Sequence, residues 1–134
     1  MNIILGGYFI GEDLQRHQIT VTTNPVDSIV EKELLAYKSA NGIIKLSVQP
    51  EPDMGSFELA LYVENGNYLL MLSDYDEDGD IDVRTISEDG VEKGFTSILG
   101  EPYPAKAVTH NFQLISSIFK EFALKGDVSK DVMN

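Results

Sequence analysis

The chain has no cysteine, which removes a disulfide framework, a thiolate zinc site and a cysteine nucleophile together. Two histidines, His17 and His110, cannot by themselves build a three-histidine metal centre. Basic residues are scarce: 10 Lys plus Arg stand against 22 Asp plus Glu, a formal net charge of -12. A surface that negative repels phosphate backbones and anionic lipid, so neither nucleic acid nor a membrane is an expected direct partner. The apolar run at the N-terminus has no Lys or Arg before it and soon meets Glu12 and Asp13. It reads as neither a signal peptide nor a spanning helix, and a cytoplasmic location is expected. No repeat, low-complexity tract or linker breaks the 134 residues, so one domain over 1–134 is expected.

What is present is an ordinary globular composition, 43% apolar and 9% aromatic, which puts the excess acid on a folded surface and not in a disordered chain. Residues 2–10 read as a strand in which Gly6 and Gly7 mark a bulge or a close backbone approach. Residues 17–23 alternate as a half-buried strand that pairs with the first. Asn24-Pro25 opens a helix, with Asn24 as cap and Pro25 at the first helical position, and Gly42 ends it. Residues 45–49 are extended. FELALYVE and NYLLMLSDY flank Asn65-Gly66, the strongest short hairpin signal. DIDVRTIS and FTSIL follow as further strands of a meander, EPYPA is a loop, and Phe112, Ile115, Ile118, Phe119 and Phe122 form the apolar stripe of a last helix ending at Gly126. The expected class is α+β, a largely antiparallel sheet with a central meander packed by two main helices, about 25–41 and 109–125.

One segment carries chemistry. Asp74 to Thr85 matches most of a calcium-loop template, with Asp74, Asp76 and Asp78 at positions one, three and five, Gly79 at six and Ile81 at eight. Asp82 and the carbonyl of Asp80 complete the candidate donors. The match fails at position twelve, where Thr85 replaces the bidentate Glu, and the flanks read as strands where that site has helices. The alternative is a hairpin turn whose Asp side chains accept hydrogen bonds from local amides. No cofactor is expected.

The same segment is the densest acid in the chain: Asp74 to Glu92 holds nine of the 22 acidic residues and one base, Arg84, which neutralises part of the cluster. Carboxylates presented on a small rigid surface can occupy the phosphate positions of a nuclease site built from Lys, Arg and His. Asp74, Asp76, Glu77, Asp78, Asp80, Asp82, Glu88 and Asp89 are therefore candidate partner-binding residues, with Tyr75 as an aromatic anchor beside them. Tyr62 and Tyr68 fall on the same hairpin. Gly6, Gly7 and Gly11 do not lead from a strand into a helix, so no phosphate loop is indicated. His110 has nothing nearby in sequence to orient it as a base, and no enzyme activity is expected.

The segment GEPYPAKAVTHNFQLISSIFKEFALKGDVSKDVMN (residues 100–134) and the hairpin NYLLMLSDYDEDGDIDVRTI resemble a family of small acidic bacterial proteins of unassigned function. That family is similar to the immunity proteins of contact-dependent growth-inhibition and polymorphic toxin systems. The resemblance implies a cytoplasmic α+β protein that binds and neutralises a partner toxin and catalyses nothing. Combined with the charge, it points to a basic nuclease toxin as the partner, its active site occluded by the acidic ribbon.

Overall fold

Period-two alternation decides which side each strand buries. In the computed structural model, which describes residues 1–87 and 94–134, the strand Asn41–Gln49 buries Gly42, Ile44, Leu46 and Val48 and leaves Ile43, Lys45 and Ser47 half-exposed. The elements run β1 (Asn2–Ile10), β2 (Arg16–Gln18), β3 (Thr22–Thr23), α1 (Asp27–Leu35) with a 3-10 turn over Ala36–Lys38, β4 (Asn41–Gln49), β5 (Gly55–Glu64), β6 (Asn67–Tyr75), β7 (Ile81–Arg84), β8 (Phe95–Ile98), β9 (Glu101–Pro104), β10 (Val108–Thr109) and α2 (Phe112–Lys125).

Eight strands form one sheet in the order β10-β6-β5-β4-β1-β2, with β3 also on β1 and β7 also on β6. All of their pairings are antiparallel. Both helices lie on one face, where Val30, Leu34, Ile115, Phe119 and Phe122 meet Leu5, Leu46, Leu61 and Leu70 in one core. Each such side chain contributes about 1.5–3 kcal/mol on burial. Among the described residues no helix is long and apolar enough to cross a membrane. The expected α+β class, the large antiparallel sheet and the two helices are all present.

Several local expectations change. Asn24 does not cap α1: it sits at φ 52, and its side-chain oxygen accepts from Ile3 N–H at 2.8 Å. That tie fixes β1, so α1 starts later, at Asp27, from Val26 without a side-chain cap. Gly42 does not end the helix. It pairs with Phe9 inside β4, and a Cβ on it would lie 2.3 Å from the Tyr8 carbonyl oxygen. Gly7 is its counterpart on β1, where a Cβ would lie 2.3 Å from the Ile43 carbonyl oxygen. The two glycines thus permit a close approach of β1 and β4, and the pairing runs through them without a bulge. The buried Tyr37 hydroxyl closes the same spot, 2.7 Å from the Tyr8 carbonyl and 3.1 Å from that of Ile43.

Residues 17–23 give two short strands, β2 and β3, and not one. The Asn65-Gly66 hairpin forms as expected, with both residues at positive φ. FTSIL leaves the meander: β8 pairs with β9, the segment expected as a loop, in a separate two-stranded ribbon. Ile98 of that ribbon joins Leu69, Ala107 and Val108 in a small second cluster, with Tyr62 and Tyr103 against it, on the sheet face away from the helices. The last helix starts at Phe112, with the Asn111 side chain accepting from Leu114 N–H, and ends at Gly126 in the left-handed conformation.

Candidate functional site

The acidic segment folds as the β6–β7 hairpin at one corner of the sheet. Its tip is held by Asp76, whose Oδ1 accepts from Asp78 N–H and Asp80 N–H, each at 2.9 Å, while Asp76 N–H donates to the Asp80 carbonyl at 2.9 Å. The turn therefore needs an oxygen acceptor at 76 and a residue that tolerates φ 83 at Gly79. Glu77, Asp78 and Asp80 stand exposed around it. One carboxylate oxygen from each of Asp76, Asp78 and Asp80 lies within 4.8 Å of the others.

Strand alternation separates the remaining acids. Asp74 and Asp82 face each other across the ladder on the helix side, while Tyr75 and Ile81 face each other on the opposite side. Asp74 is turned inward, to Arg84 Nε at 2.8 Å and to Ser56 Oγ at 2.5 Å. Asp82 stays exposed. Tyr75 stacks on Phe57 with ring centroids 4.3 Å apart and donates its hydroxyl to Glu51. That bond to a carboxylate raises the Tyr75 pKa above its ordinary value. Glu88 and Asp89 lie outside the described residues.

Arg84 organises the base of the hairpin. Besides Asp74 it reaches Asp127 Oδ1 at 2.6 Å and donates to the carbonyls of Val128 and Met133 at 3.1 and 3.3 Å. Thr85 and Asn134 exchange backbone hydrogen bonds at 3.3 and 3.2 Å, so the C-terminal segment is laced to the end of β7. Burial pushes the Asp127 carboxyl up, but hydrogen bonds from Ser56 and Val128 N–H, together with Arg84, outweigh it and hold the group below the usual carboxylate range. A hollow of about 350 Å³ opens here, lined by Ser56, Asp74, Asp82, Arg84, Asp127 and Lys130 among others. Ser56, Asp127 and Lys130 are members of this corner that the sequence did not point to. They lie in segments distant along the chain, and no local pattern signals that they converge.

Other candidates fall elsewhere. Tyr68 is buried in the main core and Tyr62 lies near Tyr103 under the small ribbon, so of the three hairpin tyrosines Tyr75 alone stands beside the acids. His110 is exposed, with Nδ1 3.1 Å from the Gly66 carbonyl oxygen. His17 pairs with Asp13 at 2.7 Å and stacks on Phe9, and the side chains of His17 and Asp13 are each about half-exposed.

A family model described as a family of unknown function (DUF6911) matches residues 2–132. The chain is also similar to a solved structure described as the crystal structure of a hypothetical protein from Neisseria gonorrhoeae. The two are 30% identical with a TM-score of 0.83, over 96% of this chain and 90% of that one. No curated protein matches.

Proposed function

Because the chain belongs to the DUF6911 family, whose description assigns no activity, we propose its function from its own surface: an immunity-type protein that binds a basic partner, a nuclease toxin, through the acidic hairpin. The observation that carries this reading is the tip itself, where Asp76 pins the backbone so that the neighbouring Glu77, Asp78 and Asp80 project together from a rigid turn. Preorganised carboxylates lose little freedom on meeting cationic side chains, and their summed field speeds encounter. Occlusion is steric and electrostatic, and the protein performs no chemistry on the toxin. The cytoplasm is the compartment in which such an inhibitor acts. The test is to mix the purified chain with a basic nuclease toxin domain and follow complex formation together with cleavage of nucleic acid. A stable complex with lost cleavage supports the reading, and unimpaired cleavage at excess inhibitor removes it.

A calcium-binding loop is the second reading, favoured by the three carboxylate oxygens of Asp76, Asp78 and Asp80 within 4.8 Å. Asp74 is engaged by Arg84, and Thr85 takes the place of the bidentate ligand, so this set is short of the six to eight oxygens calcium takes. Titration calorimetry with calcium decides it: absence of heat and of a melting shift at millimolar calcium excludes the site.

A further inference from the structure

Among the described residues β7 pairs with β6 alone, and the hydrogen-bond alternation says which of its groups face away from that ladder. Asp76 N–H bonds the Asp80 carbonyl, and the register then pairs Asp74 with Asp82 and Leu72 with Arg84. In an antiparallel ladder every second pair exchanges hydrogen bonds, so 74/82 and 72/84 carry them. The N–H and C=O of Ile81 and Val83 therefore point away from β6. Thr85 confirms the alternation, because its own outward N–H and C=O are the groups that exchange bonds with Asn134. One rung of this edge already accepts a chain. The next two are without a backbone partner among the described residues.

Asp82 and Arg84 place charge on the helix-side face of this edge, but its other face is apolar and open. Ile81 and Val83 are 58% and 53% exposed, on the sheet face where Tyr75 stacks on Phe57. Natural edges are guarded by proline, inward-facing charge or a covering element. Arg84 at the base is shielded between Asp74 and Asp127, and the exposed charge toward the tip is acidic, from Glu77, Asp78, Asp80 and Asp82. That sign selects the occupant. Two copies joined β7 to β7 would bring together two chains that each carry a net charge of -12, whereas a cationic strand neutralises the acidic tip.

We propose that the outer edge of β7 is a strand-addition site for an extended segment of a basic protein, with apolar residues packing beside Ile81 and Val83 and Lys or Arg residues meeting the acidic tip. The inference rests on the acidic hairpin being the docking surface and adds how the partner is held: main-chain hydrogen bonds to Ile81 and Val83 supply affinity, and alternate side chains supply selection.

The probe is a synthetic eight-residue peptide of alternating Lys and Val, with a control that is N-methylated on alternate residues and so lacks donors along one edge. Both are titrated into the full chain while amide hydrogen exchange is followed. The expected result is that exchange at Ile81 and Val83 slows at least about tenfold with the first peptide, and that the N-methylated one binds about tenfold more weakly. Val83→Pro removes an outward donor and leaves the bonds of Asp82 and Arg84 intact, so it is expected to weaken binding to a similar extent. If that variant does not fold, the N-methylated peptide carries the same test.

Absence of binding by both peptides overturns the proposal, as does protection of Ile81 and Val83 without peptide in a concentration-dependent dimer. Equal binding of the two peptides, weakened by Asp76→Asn, Asp78→Asn and Asp80→Asn together, overturns strand addition and leaves the acidic docking surface standing. Binding that is sensitive to N-methylation but indifferent to the three aspartates removes the docking surface and keeps strand addition.

Discussion

Replacing Arg84 with Met tests how the candidate site is held in place. The Arg84 side chain is 11% exposed and its partner Asp74 is 20% exposed, so this pair is largely shielded from water. Removing one member of a buried pair costs about 3–5 kcal/mol, because the other charge is left without compensation. The Asp127 arm adds little, since that carboxylate is 59% exposed and screened. Two further donors, to the Val128 and Met133 carbonyls, are lost with it. The lower end of the range, about 3 kcal/mol, is therefore expected. For a domain of this size that lowers Tm by about 10–12 °C. Urea and thermal unfolding of Arg84→Met, Asp74→Asn and the double variant close a mutant cycle, with a coupling energy of at least about 1.5 kcal/mol expected. The C-terminal segment is expected to exchange its amides faster in Arg84→Met. A loss under about 1 kcal/mol with additive single effects refutes the claim that Arg84 holds the hairpin to the C-terminal segment.

Gly7→Ala is expected to cost at least about 3 kcal/mol, or to prevent folding, because the new Cβ meets the Ile43 carbonyl oxygen at 2.3 Å and Ile44 Cα at 2.8 Å. Gly6→Ala beside it, with open space around its Cβ, is expected to be tolerated, and a comparison of urea midpoints checks both. Asp127 has a folded pKa below its unfolded one, so it contributes stability that is full above the unfolded carboxylate range, about pH 4, and is lost as pH falls through the lower folded value. Asp127→Asn is therefore expected to flatten the acid limb of a stability–pH profile measured by chemical denaturation.

Short-range pattern carried the sheet. Alternation in β5 and β6 and the Asn65-Gly66 turn are properties of adjacent residues, and they formed where the pattern indicated, while β4 begins at Asn41, four residues before the extended segment expected at 45–49. Local preference gives way where a tertiary contact competes with it. Asn24 has the chemistry of a helix cap but is taken by Ile3 N–H across 21 residues. Gly42 reads as a helix stop but is needed where β1 crowds β4. The Pro-rich segment after Gly100 reads as a loop, yet a strand that among the described residues pairs on one side only tolerates Pro102 and Pro104, and β9 forms with β8. At the acidic site, the tip was legible because an Asx turn is local. Its base was not, since Ser56, Asp127 and Arg84 meet through contacts 28 to 71 residues apart.

On the proposed reading, the carboxylates at the hairpin tip draw in a basic partner. Asp76→Asn, Asp78→Asn and Asp80→Asn together test it most directly. The amide oxygen that the first substitution leaves at position 76 can still accept the two bonds that shape the turn, while three of the 22 acidic groups are gone. The measurement is the association rate with a basic nuclease toxin domain, by stopped flow across a series of salt concentrations. Unchanged unfolding, an association rate about tenfold slower at low salt and a flatter dependence on ionic strength are expected. A folded triple variant that associates as fast as the parent at every salt concentration contradicts that reading.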